Sequence, residues 1–441
     1  MKIKFKLNIF EDLQTFLILW ITQTFSALGS SMTSFALIVW SYEQTGRALM
    51  TALLSVCSYA PYVIFSLFAG VLSDKWNKKA VMLVCDSIAA LSTVAVLVLL
   101  ISGRLEIWHL YVVNAVNGVM NTMQQPASEV AVSLITPKDK YQRASGMRAF
   151  SNSLITILTP VLAMAVMGFG GLGAVIFFDL FTFITAFIVL AFVIRIPEAD
   201  VKERDKSESM IETALEGLAY LRKNRGIFDL ILFLAAINLT FAMYQAALPA
   251  MVLSKAGGGE RALGMVNTCV GLAHLAGSIT VSLMPAPKSR VRTICNSLLF
   301  SMSTENLLLA VGNSLPVWCL GSILGWLSVP AMNANMEVLL RSHIPVEIQG
   351  RVYCTRNALQ FFTLPVGYLL GGALIDHVCE PWMAKCGPDS LWVRVFGMGK
   401  GSGAALLLFA LAALGTATCL YFRRDPRIWE LEEEGGLDTR S

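Results

Sequence analysis

Long runs of apolar residues recur along this chain of 441 residues and limit what it can fold into. The stretch 48–69, for example, carries no charged side chain. A helix of ~20 such residues crosses the hydrocarbon core of a bilayer. Only 15% of all residues are charged, against about 25% in soluble domains. A chain with this composition belongs in a membrane.

Helices satisfy their own backbone hydrogen bonds, which lipid cannot do for them. We therefore predict an all-α integral membrane protein with twelve transmembrane helices in two six-helix pseudo-symmetric bundles. The predicted spans are 14–40, 48–72, 80–101, 108–132, 147–168, 172–195, 227–252, 262–284, 293–311, 315–340, 352–376 and 401–422.

The basic residues predict the orientation of these spans. If the N-terminus lies in the cytoplasm, 27 of the 34 lysines and arginines fall on the cytoplasmic side. Such an excess is what the positive-inside rule requires. We predict a multi-pass protein of the bacterial cell membrane with both termini cytoplasmic.

The longest polar segment divides the spans six and six. It predicts an N-terminal bundle over 1–195, a cytoplasmic linker over 196–226 and a C-terminal bundle over 227–441. The linker contains a helix with an apolar face, which can lie on the membrane surface or be a solvated connection.

An internal repeat agrees with this division. The stretches 126–146 and 330–350 both begin Pro-Ala, both reach a glycine after 20 residues, and lie 204 residues apart. Transporters are commonly built from such repeats. A shorter similarity relates AGVLSD at 69–74 to GGALID at 371–376. These two stretches are predicted to end on opposite sides of the membrane.

A polar loop, GVLSDKWNKK at 70–79, separates the second and third spans. It resembles the signature loop of the major facilitator superfamily, Gly-x-Leu-x-Asp-Arg-x-Gly-Arg/Lys-Arg/Lys, with Lys75 for the arginine and Asn77 for the second glycine. EGLAYLRKN (216–224), FFDLFTF (177–183) and PVGYLLGGALID (365–376) are similar to the macrolide-efflux and enterobactin-exporter branch. The resemblance covers essentially the whole chain.

The resemblance implies a role for this loop in gating. In the superfamily, the aspartate of this loop, here Asp74, holds spans two and eleven together when the cavity faces outward. The implied gating residues are Gly70, Asp74, Lys75, Lys78 and Lys79. Two departures weaken the implication of proton antiport: span four lacks the arginine of many drug exporters, and the antiporter pattern in span five is reduced to 159–164, TPVLAM.

Polar residues recur at spacings of three and four in spans one and four, which places each set on one helical face. Spans seven and ten carry smaller sets. By resemblance, these four spans line the central cavity. The stripes can alternatively serve helix–helix hydrogen bonding, which we favour for the serines and threonines. The predicted substrate-cavity residues are Gln23, Ser26, Ser30, Asn114, Asn117, Asn121, Gln124, Asn238, Tyr244, Gln245, Trp326 and Asn333.

Acidic residues inside spans are costly and therefore informative. Near the cytoplasmic surface, such an acid can simply be paired with loop lysines or arginines, whereas Glu305 is predicted to lie deeper. Asp179 is predicted about two turns below the outer surface, where the resemblance makes a structural role as plausible as a coupling role. His274 is interpreted as a packed core residue. The candidates for proton coupling are Asp86, Glu129, Asp179, Glu305 and Glu337.

Together these features predict a secondary exporter of amphipathic small molecules, with macrolide-type drugs first. A siderophore or lysolipid exporter of the same fold, or a transporter-fold protein without proton coupling, are the alternatives. The expected partners are the substrate, protons and the lipid bilayer, with no nucleic acid and a monomeric state.

We expect neither an enzyme nor a cofactor or metal site. The four histidines are dispersed, and the glycine-rich 397–403 lacks the phosphate-loop spacing. Nine cysteines show no metal-like spacing, and a bridge between Cys379 and Cys386 is left open.

Overall fold

A computed structural model describes residues 14–137, 140–196, 210–345 and 348–436. Within helices, the side chains at 66–75, 142, 145, 210–215, 349–351, 354 and 433–436 lie outside the described part. The helices are α1 (Gln14–Thr45), α2 (Ala48–Lys75), α3 (Lys78–Ile101), α4 (Ile107–Ile135), α5 (Tyr141–Ile188), α6 (Met210–Lys223), α7 (Arg225–Ser254), α8 (Glu260–Leu283), α9 (Arg290–Val311), α10 (Leu315–Leu327), α11 (Val329–His343), α12 (Gln349–Phe361), α13 (Thr363–Leu374), α14 (Glu380–Lys385), α15 (Leu391–Phe396), α16 (Ser402–Arg423) and α17 (Pro426–Gly436).

Each of the twelve predicted spans falls on helix, which confirms the predicted all-α membrane fold. Among the described residues, nine stretches are long and apolar enough to cross a membrane. Large apolar side chains such as Phe169 and Leu283 are 94% and 81% exposed. That exposure suits contact with lipid tails and would be costly in water.

Two spans are interrupted helices, and one long helix is broken between two spans. The backbone of α5 leaves helical geometry at Gly170 and Gly171, where φ reaches +65°, so one element contains the fifth and sixth predicted spans. Glycine enters this region at little steric cost. The tenth span is α10 followed by α11, and the eleventh is α12 followed by α13 with a π-helical turn at Ile375–Cys379.

The chain divides into two compact units. The first contains the described residues up to Leu37 and those of Ala60–Lys206, and the second contains Ile38–Tyr59 and the described residues from Ser207 onward. Helices α1 and α2 therefore each pass from one unit into the other. The predicted division of the sequence into 1–195, 196–226 and 227–441 stays a prediction.

The loop between α2 and α3 is closed by two helix caps. The Asn77 side chain accepts a hydrogen bond from the Ala80 N–H (3.1 Å) and so is the N-cap of α3. Asparagine is among the best residues at this position, which explains why it stands where the superfamily pattern has glycine. Lys79 Nζ donates to the carbonyls of Ala191 (2.9 Å) and Ile194 (2.8 Å) at the end of the sixth span.

A buried cluster of the second unit joins α7, α9 and α11 to the two short helices α6 and α17. Leu221 of α6 and Ile428 of α17 are fully buried in it. The Glu432 side chain of α17 accepts from the Val291 N–H (2.7 Å) at the start of α9. The end of the linker helix and the C-terminal helix are thus parts of the protein core.

Both cysteines of the possible bridge are free thiols, with Cys379 buried. The glycine-rich 397–403 connects α15 to α16 and includes the first two residues of α16. There the Gly401 N–H donates to Glu380 (2.8 Å), as expected of a helix cap.

We expect Ile428→Ala to lower the free energy of unfolding by about 2–5 kcal/mol, the usual cost of emptying a buried aliphatic site. Thermal unfolding of the purified protein in detergent measures this. The control is Glu430→Ala on the exposed face of the same helix. An equal loss of stability in both variants would contradict the buried role of α17.

Candidate functional site

The five candidate acids fall into two groups according to their partners. Glu129 and Glu337 are paired with arginines. The two terminal guanidinium nitrogens of Arg148 each donate to a different carboxylate oxygen of Glu129. Glu337 lies 2.8 Å from Arg341 and 3.8 Å from Arg356. These two acids carry a compensated charge at partly exposed positions.

The pairing recurs in both halves of the sequence. Arg148 follows Glu129 by 19 residues, and Arg356 follows Glu337 by the same interval. Neither arginine was predicted as a functional residue. The repeated spacing of acid and arginine is the sequence signal that could have found them.

Asp86 belongs to the second group, whose described partners are neutral. It lies on α3, eight residues from the helix start, and its Oδ1 accepts from Gln124 Nε2 of α4 (2.6 Å). Gln23 of α1 also lies beside this carboxyl group, although its Nε2 has no hydrogen bond of normal geometry within the described chain. Two predicted cavity amides thus converge on one half-buried acid.

Asp179 lies on the second segment of α5 and is only 5% exposed. Its Oδ1 accepts from the Ser30 hydroxyl of α1 (3.0 Å), and Thr33 lies one turn further on. The two helices approach closely because Gly29 has no side chain: a Cβ there would lie 3.0 Å from the Asp179 Cα. This contact gives Ser30 a role in helix packing.

Glu305 is a buried acid of the second unit. It lies on α9, 15 residues beyond Arg290, which is about 22 Å along the helix axis. Its side chain is 4% exposed, and its Oε1 accepts from the indole Nε1 of Trp326 (2.9 Å). Gly325 makes room for it, because a Cβ at this position would lie 2.5 Å from the Glu305 Cβ.

Aromatic rings surround this carboxyl group. Trp326 packs edge-on against Phe241 at 5.9 Å and lies 6.1 Å from the ring of His274. Tyr244, 3% exposed, lies beside Glu305 without a hydrogen bond of normal geometry to any described residue. We name Phe241, Tyr244, His274, Glu305 and Trp326 the Glu305 cluster. Sequence patterns did not indicate the contact of His274 with it.

Asp86, Asp179 and Glu305 share one property: within the described side chains, none has a lysine or arginine partner. A buried carboxylate without a cation is expensive in a low-dielectric interior. Each instead accepts from a hydroxyl, amide or indole group. The carboxyl group at such a site is either protonated or ionised, and in the ionised form only neutral donors stabilise its charge.

The other predicted cavity residues occupy several environments. Asn114 donates to the Leu110 carbonyl of its own helix, and Asn238 donates to the Gln360 carbonyl of α12. Asn117 is half-buried, and its buried Oδ1 accepts no hydrogen bond from the described chain.

Gln245 lies beside Tyr368 in the second unit. Asn121 and Asn333 are exposed, and Ser26 is half-buried.

The predicted gating residues are only partly described. The backbone places Gly70, Asp74 and Lys75 in the last turns of α2, but their side chains lie outside the described part. Lys79 caps the sixth span as above, and Lys78 Nζ donates to the Trp76 carbonyl (3.1 Å).

Trp326→Phe is expected to lower protein stability by about 1–3 kcal/mol, because it leaves a buried acceptor without its donor. Trp108→Phe is the matched control: its indole donates to Glu106 at 2.8 Å, but at the exposed surface, where water replaces it. Thermal unfolding of the two variants tests this. If both variants lose the same stability, the hydrogen bond from Trp326 to Glu305 is not shielded from water.

Comparisons with known proteins place this geometry in a family. The family model of the Major Facilitator Superfamily matches residues 19–286. Macrolide efflux protein A of Streptococcus pyogenes is 24% identical over 366 residues, covering 82% of this chain and 90% of the relative. Multidrug efflux pump Tap of Mycolicibacterium fortuitum is 23% identical over 343 residues, covering 76% and 82%.

A crystal structure of the nucleoside transporter NupG matches the fold with a TM-score of 0.61 at 14% identity, over 92% of this chain and 97% of that one. These matches confirm the predicted resemblance to the macrolide-efflux branch. The chain belongs to the major facilitator superfamily and is a multi-pass bacterial membrane transporter, not an enzyme.

Proposed function

We propose that this transporter exports amphipathic small molecules, macrolide-type drugs first, in exchange for protons. Substrate and proton use alternating access to a central cavity, with both chain termini in the cytoplasm and one chain sufficient. The relatives named for macrolide and multidrug efflux support export. The distribution of lysine and arginine supports the orientation.

The observation that carries the proton coupling is the environment of Glu305. A carboxyl group 4% exposed, held by an indole N–H and surrounded by aromatic rings, has no described cationic partner. Ionising it there leaves a charge that only neutral donors stabilise. Antiport requires a group whose protonated form is favoured in one conformation and whose ionised form is favoured in another.

Trp326 connects this acid to the proposed substrate path. Its indole bonds Glu305, and its ring is half-buried on α10, one of the cavity helices by resemblance. Substrate stacking on the ring would shift the indole and so change how well Glu305 tolerates charge. Asp86 and Gln124 repeat this arrangement in the first unit, with an acid on the third span and its donor on the fourth.

In the proposed cycle, Glu305 takes up a proton from the outside after substrate has left, and releases it to the cytoplasm before the next substrate binds. The membrane potential contributes about 2.3 kcal/mol per charge for each 100 mV. Asp86 and Asp179 are further proposed proton carriers. Glu129 and Glu337 are proposed to hold helices together through their arginines.

The proposed cavity faces suit a large, weakly charged substrate. Helices α1, α4 and α10 contain no lysine or arginine. They offer amides, and Asn117 keeps an acceptor that no described group uses. Amides and aromatic rings can bind a compound that is polar on one side and apolar on the other.

Export is tested with inside-out membrane vesicles and radiolabelled erythromycin. We expect erythromycin to accumulate when the vesicle interior is acidified, and accumulation to stop when an uncoupler collapses the proton gradient. Vesicles without the protein are the control. Accumulation that survives the uncoupler would contradict antiport while leaving export intact.

Glu305→Gln tests the coupling residue. The amide keeps the shape and the hydrogen bond from Trp326 but cannot carry a proton, so gradient-driven accumulation should fall more than tenfold, while exchange of erythromycin across the membrane without a gradient persists. Glu337→Gln is the matched control, since its acid is paired with arginines, and should retain gradient-driven accumulation. If Glu305→Gln still responds fully to the gradient, Glu305 is not the coupling acid.

A further inference from the structure

Asp376, at the end of the eleventh span, is bonded to the start of the second span. Its Oδ1 accepts from the Ala48 N–H and its Oδ2 from the Leu49 N–H, both at 2.9 Å. These are two of the backbone donors that the first turn of α2 cannot satisfy within the helix. The partners are more than 320 residues apart in sequence, yet both belong to the second compact unit.

The bond is charge-assisted and shielded from water. The Asp376 side chain is 10% exposed, and the more exposed Arg47 approaches it at 3.9 Å. A carboxylate at a helix N-terminus is stabilised by the helix dipole as well as by its N–H partners. This single side chain therefore provides a strong, directional link between two helices.

Below Asp376, the two helices pack without side chains between them. A Cβ on Gly372 would lie 2.6 Å from the Leu49 Cα, so only glycine permits this approach. One turn further, Tyr368 stacks on Tyr59 at 5.9 Å, and Ala52 is buried against Ala242, Ala246 and Tyr368. We name this contact, from Asp376–Ala48 down to Tyr368–Tyr59, the α2–α13 seam.

The seam joins sequence segments that a transport cycle must separate. Residues 38–59 belong to the N-terminal half of the sequence, but they cluster with the C-terminal half, whereas the remaining parts of α1 and α2 cluster with the first unit. Opening the cavity on the Asp376 side requires 38–59 to leave the second unit. Asp376 is predicted to lie on the outer side, opposite the 70–79 loop.

We propose that Asp376 is a latch that keeps the outer side of the transporter closed and releases α2 when the cavity opens outward. This inference rests on the proposed alternating-access function. GGALID, at 371–376, supplies the parts: two glycines for close approach and a terminal acid for the helix start. It is similar in sequence to AGVLSD at 69–74, which is predicted to end on the other side of the membrane.

Four residues further along, Glu380 provides an internal comparison. It accepts from the Gly401 and Ala404 N–H groups (2.8 and 3.4 Å) and so caps α16. Both α14, which begins at Glu380, and α16 come from the C-terminal half of the sequence, so opening between the halves need not break this bond. Removing the Glu380 charge should loosen a helix start without opening the seam.

The test measures opening of the seam directly. Ala52, 3% exposed, is replaced by cysteine in the full chain, and the protein is placed in lipid nanodiscs where both membrane faces are accessible. The rate at which a water-soluble maleimide modifies position 52 is followed by fragment mass spectrometry, so the native cysteines can stay. Backgrounds with Asp376, Asp376→Asn and Glu380→Gln are compared.

We expect Asp376→Asn to raise the labelling rate about threefold to tenfold, the range expected when a buried carboxylate at a helix N-terminus loses its charge. Glu380→Gln should leave the rate unchanged. An unchanged rate in folded Asp376→Asn protein, or an equal rise in both variants, overturns the latch. If Asp376→Asn does not fold, the same labelling measurement is made on Asp376→Ser, which keeps a short neutral side chain at the helix start.

This measurement needs no substrate, no proton gradient and no assumption about orientation. Failure of proton-coupled export would therefore leave its outcome unaffected. Conversely, an absent latch would leave the export and coupling experiments valid.

Discussion

The inability of lipid to form hydrogen bonds governs this structure. Each polar group placed in a span must find its partner within the chain or bear the cost of having none. Asn114 and many serines and threonines do so by bonding to their own helix four residues back. The acids cannot, because a carboxylate needs donors, and a helix interior offers none beyond its first turn. Their partners must come from neighbouring helices, and this requirement shapes the packing around them.

Two solutions to that requirement coexist. Glu129 and Glu337 are paired with arginines at partly exposed positions. Asp86, Asp179 and Glu305 accept from an amide, a hydroxyl and an indole at less exposed positions. An arginine pair stabilises one charge state, whereas neutral donors leave both states accessible. We propose that this difference in partners separates structural acids from those suited to carrying protons.

Helix starts provide the second recurring device. Asn77, Asp376, Glu380 and Glu432 each satisfy N–H groups in the first turn of a helix, and only Asn77 caps its own helix. The other three reach a different helix and thereby hold it. A cap of this kind is strong when water is excluded, and it is lost as a unit when the helices separate. That combination suits a membrane protein whose helices must be held in one state and released in another.

The sequence alone determined the twelve spans, because membrane crossing depends on the length and hydropathy of local runs. It also placed the polar stripes, since residues three and four apart share a helical face. Asp86 and Gln124 were both predicted as site residues, but not as partners of each other. His274 was interpreted as a core residue, with no sign of its contact with Trp326, and Arg148 and Arg356 were not singled out.

Tertiary structure decided which neighbour each acid meets. Asp86 meets an amide 38 residues away, Glu305 an indole 21 residues away, and Asp376 a helix start more than 320 residues away. Local patterns cannot contain such information, because it depends on how helices cross and on where glycines such as Gly325 and Gly372 let them approach. The sequence alone thus shows that these acids lie within the spans, whereas helix packing decides which groups contact each carboxyl group.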